Sequence, residues 1–85
     1  MARYTITNLR ADIAEINEWL ADAGALVRFE ENPRNGYQAV DEYEVDKEGK
    51  RTASGCTRNI GCGTSRETYT YAYEAYQGIV RNLKK

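Results

Sequence analysis

The sequence predicts an α+β fold, a two-layer sandwich in which two helices cover one face of an antiparallel meander. Apolar residues recur at helical spacing near both ends of the chain. Between them, short stretches of alternating apolar and polar residues are separated by clusters of turn-forming residues. The 85 residues suffice for one domain with a single modest core. We therefore expect a single α+β domain over residues 1–85, with the order β-α-β-β-β-α.

The first predicted elements are a short strand and a helix. Residues 3–7 alternate apolar and polar side chains, which is typical of a half-buried strand. Asn8 is a favourable N-cap for a helix over roughly 9–23, and Gly24 can end that helix in the left-handed conformation. Trp19 is expected on the flank of the buried stripe. The stripe itself consists of Leu9, Ile13, Ile16, Leu20 and Ala23.

The middle of the chain predicts the meander. A strand over 25–31 leads into the turn sequence Asn-Pro-Arg-Asn-Gly at 32–36, and a return strand follows over 37–45. A second turn at 46–50 precedes a third strand that begins near Arg51, and its extent stays open because the following residues are rich in glycine. The side chains expected to face the helices are Val27, Phe29, Tyr37, Tyr43 and Val45.

The return strand contains one interruption. Its alternation of apolar and polar residues breaks at Val40 and Asp41. Either a β-bulge lies there or Asp41 has a specific partner.

The last helix has the clearest signals. Thr64 and Glu67 have the spacing of a capping box, and the basic residues at the end of the chain favour the negative end of the helix dipole. The predicted buried stripe consists of Tyr69, Ala72, Tyr73, Tyr76, Ile79, Val80 and Leu83.

Without the first strand, the order α-β-β-β-α resembles the double-stranded RNA-binding domain over about residues 9–83. The resemblance implies the topology but not RNA binding. The basic cluster of that family at the start of its second helix is represented here by Arg66 alone, and Glu67 follows it. The first helix is acidic where the family faces RNA.

A second resemblance covers about residues 36–83. A short meander followed by Gly-Thr-Ser-Arg-Glu-Thr-Tyr and a Tyr/Ala-rich helix is similar to small uncharacterised proteins of tailed phages and prophages. It implies an accessory protein of a mobile element, a class that includes inhibitors of host defence such as anti-CRISPR proteins. It assigns no functional residues.

The sequence offers little for catalysis. There is no histidine, so the commonest general base and metal ligand is missing. Cys56 and Cys62 lack the second ligand pair of a zinc site, and whether they form a disulfide stays open. We therefore predict no enzyme activity, no metal and no cofactor.

We predict instead a protein–protein interaction module, whose partner is a host protein or complex; a homodimer is also compatible with the sequence. The outer face of the last helix is the predicted binding surface, because it combines an exposed tyrosine with a glycine that lets another backbone approach. This face consists of Glu67, Tyr71, Glu74, Gly78 and Arg81.

The alternative function is nucleic-acid binding by the basic half of the chain. Residues 30–50 carry a net charge of −4 and residues 51–85 a net charge of +4. Hydroxyl groups at a helix N-terminus can also bind an anion. The residues predicted for this contact are Arg51, Arg58, Thr64, Ser65, Arg66, Lys84 and Lys85.

The sequence also predicts where the protein acts. No apolar run approaches the roughly 20 residues of a membrane span, and the first residues have no hydrophobic segment of a secretion signal. We expect a cytoplasmic protein without a membrane partner, in the host cytoplasm if a phage encodes it.

Overall fold

The computed structural model describes residues 3–52 and 57–84. The three strands form one antiparallel sheet in the order β1-β2-β3, and both helices contribute to one core on the same face of it. This confirms the predicted α+β class. The elements are α1 (Ile6–Asp22), β1 (Val27–Glu31), β2 (Gln38–Glu44), β3 (Thr57–Gly63) and α2 (Ser65–Leu83).

The predicted first strand over 3–7 is wrong, because residues 3–5 form no strand and α1 begins at Ile6. Thr5 is the N-cap, and its hydroxyl accepts a hydrogen bond from the backbone N–H of Asn8 at 3.3 Å. The Asn8 side chain accepts one from the N–H of Thr5 at 2.9 Å. Asn8 is thus the third helical residue rather than the predicted cap. A lone strand here would leave such N–H groups unpaired, whereas the capping box satisfies them.

The core lies between the two helices and the sheet. Of the five predicted α1 stripe residues, only Ala23 is exposed, because it is the C-cap of α1. The predicted left-handed conformation of Gly24 is confirmed by its φ of +78°. Among the sheet residues predicted to face the helices, Val27 packs against the core and Val45 is buried outside it. The core cluster consists of Leu9, Ile13, Ile16, Leu20, Ala25, Phe29, Val40 and Ala72.

Both alternatives for the interruption in β2 are realised. Val40 pairs with Gly61 and Asp41 pairs with Asn59, so the extra residue of the bulge is Ile60 on the facing strand. Asp41 is 1% exposed. Its carboxylate accepts hydrogen bonds from Asn32, Asn59 and Arg34.

Two tyrosines predicted to face the helices do not. Residues paired across neighbouring strands share a face of the sheet. The core residue Phe29 is opposite Glu42, whereas Tyr43 is opposite Arg28 and lies on the other face. Tyr37 is 62% exposed. The alternation was counted from Tyr37, beside the turn. Tyr37 lies before the start of β2 and forms only an isolated bridge with Arg34.

The third strand begins later than predicted. Arg51 forms an isolated bridge with Val45, and the strand itself starts at Thr57. Its glycine-rich end, 61–63, pairs regularly with β2.

The predicted capping box of α2 is confirmed. Part of the predicted stripe is confirmed too, since Ala72 is buried and Tyr69, Tyr76 and Ile79 pack against the core. The helix is nevertheless rotated from the predicted orientation. Its fully buried residues are Thr68 and Ala72. Tyr73 and Tyr76 are only half-buried, and Leu83 is 49% exposed. The Thr68 hydroxyl donates to the carbonyl of Thr64 at 2.8 Å, so a polar residue can occupy the centre of the packed face.

Neither helix of the described ranges is long and apolar enough to span a membrane.

Candidate functional site

A continuous row of aromatic side chains lies along the contact between α1 and α2. Neighbouring ring centroids are 5.4 to 6.0 Å apart along the row, a separation at which aromatic rings attract each other. All five side chains are half-buried. We call this the aromatic row; in spatial order it consists of Tyr4, Tyr69, Tyr73, Tyr76 and Trp19.

Tyr73 is the middle member of the aromatic row, and its packing differs from that of the other four. The other four rings pack against the core cluster, but within the described part of the chain Tyr73 does not. Its ring instead contacts those of Tyr69, Tyr76 and Trp19, the last edge-on at 6.4 Å. Tyr73 is therefore held in place by other rings while part of its surface faces solvent.

Carboxylates of α1 border the aromatic row. The Tyr4 hydroxyl donates a hydrogen bond to Asp12 at 2.7 Å. Burial and this hydrogen bond raise the pKa of Tyr4 well above its ordinary value. Burial also raises the pKa of Tyr69, as do the negative charges of Asp12 and Glu15. Asp12 is thus bonded to one end of the row, and the charge of Glu15 acts on the hydroxyl of Tyr69.

Among the described residues, two arginines stack on tyrosine rings. The guanidinium carbon of Arg66 lies 5.3 Å from the ring centre of Tyr4, at one end of the aromatic row. On the other face of the sheet, Arg51 lies 4.5 Å from the ring centre of Tyr43 and 3.4 Å from the carboxylate of Glu30. Both distances are within the range of a cation–π contact.

The residues that precede α1 meet the start of α2 at one end of the molecule, where they border a cleft of about 580 Å³. Glu67 binds back to this end of α2, and the backbone N–H and hydroxyl of Thr64 lower the pKa of its carboxyl group. An anionic side chain of the protein therefore already occupies the N-terminus of α2. The cleft is lined by Arg3, Tyr4, Thr5, Thr64, Ser65 and Arg66.

The predicted anion-binding residues do not form one surface. Thr64, Ser65 and Arg66 line the cleft with Arg3, which the sequence analysis missed because a lone arginine near the first residue carries no signal. Arg51 is paired with Glu30 and Arg58 with Glu42 (3.6 Å), on β-structure away from the cleft. Lys84 is the C-cap at the far end of α2, and Lys85 lies outside the described residues.

The predicted protein-binding face lies along the side of α2 next to β3. Tyr71 is 44% exposed, and its side chain covers Gly61 of β3. A β-carbon on Gly78 would meet no atom within 4 Å, so there is open space beside this residue. Glu74 and Arg81 are exposed.

Comparisons with protein-family models, curated proteins and solved structures find no match to this chain.

The described part of the chain contains no group of three or more histidine, cysteine, aspartate or glutamate residues that could hold a metal ion. Among the described residues, Cys62 on β3 is exposed and has no disulfide partner. Cys56 lies outside the described residues, so the predicted alternatives for its pairing with Cys62 lie outside them too.

The aromatic row was not predicted by the sequence analysis, which assigned Tyr69, Tyr73 and Tyr76 to the buried stripe of the last helix and Tyr4 to a half-buried strand. The available signal was the spacing of Tyr69, Tyr73 and Tyr76 at i, i+4 and i+7, one rim of α2. Because tyrosine tolerates a half-buried position, that rim was a better candidate for a surface than for the core.

Proposed function

We propose that this protein is a non-enzymatic protein–protein interaction module whose partner contacts the aromatic row. The supporting observation is the position of Tyr73, which is fixed by three neighbouring rings but partly open to solvent. Tyrosine and tryptophan are common anchors of protein interfaces. Rings held by two packed helices lose little conformational entropy when a partner binds.

The predicted face of α2 next to β3 is a second contact surface in this proposal. It offers the exposed part of Tyr71 and the open space beside Gly78. The two surfaces lie on opposite flanks of α2, so separate substitutions distinguish them.

We further propose, on the sequence resemblance alone, that the module acts as a phage-type accessory protein or inhibitor in the host cytoplasm. An anti-CRISPR-like role is one form of it. Expression in a bacterium carrying a defence system tests this role, and unchanged plaque formation by a targeted phage counts against it.

A pull-down with quantitative mass spectrometry tests the interaction itself. The tagged protein is compared with Tyr73→Ser, with Tyr71→Ser and with Tyr37→Ser, a control in an exposed turn residue. We expect Tyr73→Ser to remove specific proteins that Tyr37→Ser still captures, with unchanged circular dichroism. If only Tyr71→Ser removes captured proteins, the partner contacts the flank of α2 that carries Tyr71 instead. An identical set of proteins with all variants would contradict the proposal.

The cleft favours nucleic-acid binding as a second candidate. Arg3 and Arg66 line it together, and two guanidinium groups suit a phosphate group. Backbone-driven binding weakens steeply with rising salt. A gel-shift titration with duplex RNA and DNA, repeated with Arg3→Ala/Arg66→Ala, tests this; no shift at low salt would eliminate it.

A further inference from the structure

Beyond Arg66, which stacks on Tyr4 at one end, the charge along the aromatic row is negative. Asp12, Glu15 and Asp22 occur at the spacing of the α1 side that carries Trp19, i, i+3 and i+10 with Trp19 at i+7. The α2 positions along the row, Tyr69, Tyr73, Tyr76 and Val80, carry no charge. In the ranges 3–52 and 57–84, neither Glu15 nor Asp22 takes part in an ion pair. A partner that covers the row therefore meets carboxylates that are not paired with an arginine or lysine side chain of the described chain.

The protein itself shows which group fits a tyrosine beside a carboxylate. Arg66 stacks on Tyr4, whose hydroxyl is bonded to Asp12. Arg51 stacks on Tyr43 and pairs with Glu30. In the middle of the aromatic row, Glu15 lies one helical turn before Trp19, whose ring contacts that of Tyr73. Neither of the two stacked arginines lies there.

We propose that the aromatic row binds a basic segment of the partner protein, with one arginine stacked on Tyr73 and paired with Glu15. This inference rests on the proposed function and specifies the chemistry of its partner. Arginine fits better than lysine because its planar guanidinium can stack on a ring and bind a carboxylate at the same time. The same carboxylates repel the phosphates of nucleic acids and of anionic membranes.

Fluorescence anisotropy with labelled octa-arginine tests this chemistry, with octa-lysine and octa-glutamate for comparison. At about 50 mM salt, where surface charges are only partly screened, we expect octa-arginine to bind most tightly and octa-glutamate not to bind. Glu15→Gln and Tyr73→Leu should each raise the Kd for octa-arginine about threefold to tenfold, the range of a cation–π contact or a good ion pair.

Matched controls separate this site from general attraction to an acidic protein. Glu48→Gln makes the same charge change in a turn where the side chain is 76% exposed, and Tyr37→Leu removes a ring that is 62% exposed. Both should leave the Kd for octa-arginine within about twofold of the parent value. Tyr73→Phe keeps the ring and should bind nearly as the parent does, which guards against a misfolded Tyr73→Leu.

The inference is overturned if Glu15→Gln and Tyr73→Leu bind octa-arginine as their controls do, or if octa-arginine does not bind at all. Its failure is distinguishable from failure of the proposed function. If Tyr73→Ser still removes captured proteins while octa-arginine does not bind, only the partner chemistry is wrong. If Tyr73→Ser also captures the parent set of proteins, both proposals fail.

Discussion

The side chain of Tyr71 lies over Gly61, in the space that a β-carbon on Gly61 would occupy. Gly61 is paired with the core residue Val40, so its open side faces the helices. The absence of a side chain there lets the middle of α2 approach β3 closely. Tyr71 therefore has a structural role, although 44% of it stays exposed.

Gly61→Ala should destabilise the protein by about 1–3 kcal/mol, because its methyl group would overlap the β-carbon and ring of Tyr71. The φ of Gly61 is not in the left-handed region, so backbone strain is not the cause. Urea denaturation measures the free energy of unfolding. In a double-mutant cycle with Tyr71→Ala the two costs should not be additive. Additive losses of stability would show that residue 61 and the side chain of Tyr71 do not interact.

Gly78→Ala should instead stabilise the protein by about 0.5–1 kcal/mol. Gly78 lies inside α2, where glycine costs conformational entropy and where a β-carbon would meet nothing within 4 Å. Thermal unfolding checks this prediction. If the same substitution weakens partner capture, Gly78 serves the close approach of a partner; a lower melting temperature would instead mean that the space is not open.

Arg34→Ala should cost about 1–3 kcal/mol, the range for losing a hydrogen bond to a buried charged group. The guanidinium of Arg34 lies 2.6 Å from the carboxylate of Asp41, whose side chain is 1% exposed. The carboxylate would keep only the amide donors of Asn32 and Asn59.

The control for Arg34→Ala is Lys50→Ala, which breaks the ion pair with Glu48. Both of those side chains are more than three-quarters exposed, so we expect a cost below about 1 kcal/mol. Equal effects of the two substitutions in urea denaturation would show that burial of Asp41 does not strengthen its pair.

Glu67 should make stability depend on pH. Hydrogen bonds from the backbone and hydroxyl of Thr64 lower the pKa of its carboxyl group from the ordinary 4.5. The folded protein therefore favours the carboxylate, and the contribution is present above pH 4.5 and lost as the pH falls through the lowered pKa.

Unfolding curves at several pH values measure this for the parent and for Glu67→Gln. The parent should be the more stable above pH 4.5, and the difference should shrink below it. Glu74→Gln, an equal charge change on the same helix, is the control. The prediction is wrong if both variants lose stability in parallel with the parent at every pH.

Much of the fold could be predicted because its signals are local. The spacing of Leu9, Ile13, Ile16 and Leu20, and the capping box of Thr64 and Glu67, depend only on residues within one or two helical turns. The candidate site was harder to predict from the sequence. Arg66 was predicted to lie near an anion-binding N-terminus of the last helix. The positions of Arg3 and of the aromatic row, however, depend on how two helices far apart in the sequence pack together.

The sequence by itself determined the order of the elements from α1 onward, the start of α2 and the interruption at Asp41, because short-range hydrogen bonding and hydrophobic period act within a few residues. The tertiary structure decided the rotation of α2, the face of Tyr43 and the position of Tyr73. Apolar burial is non-directional, so a helix with tyrosines on one rim can bury several alternative stripes. Here the close approach of Tyr71 to Gly61 and the buried hydroxyl of Thr68 determine which stripe packs, and the tyrosines are left at the edge.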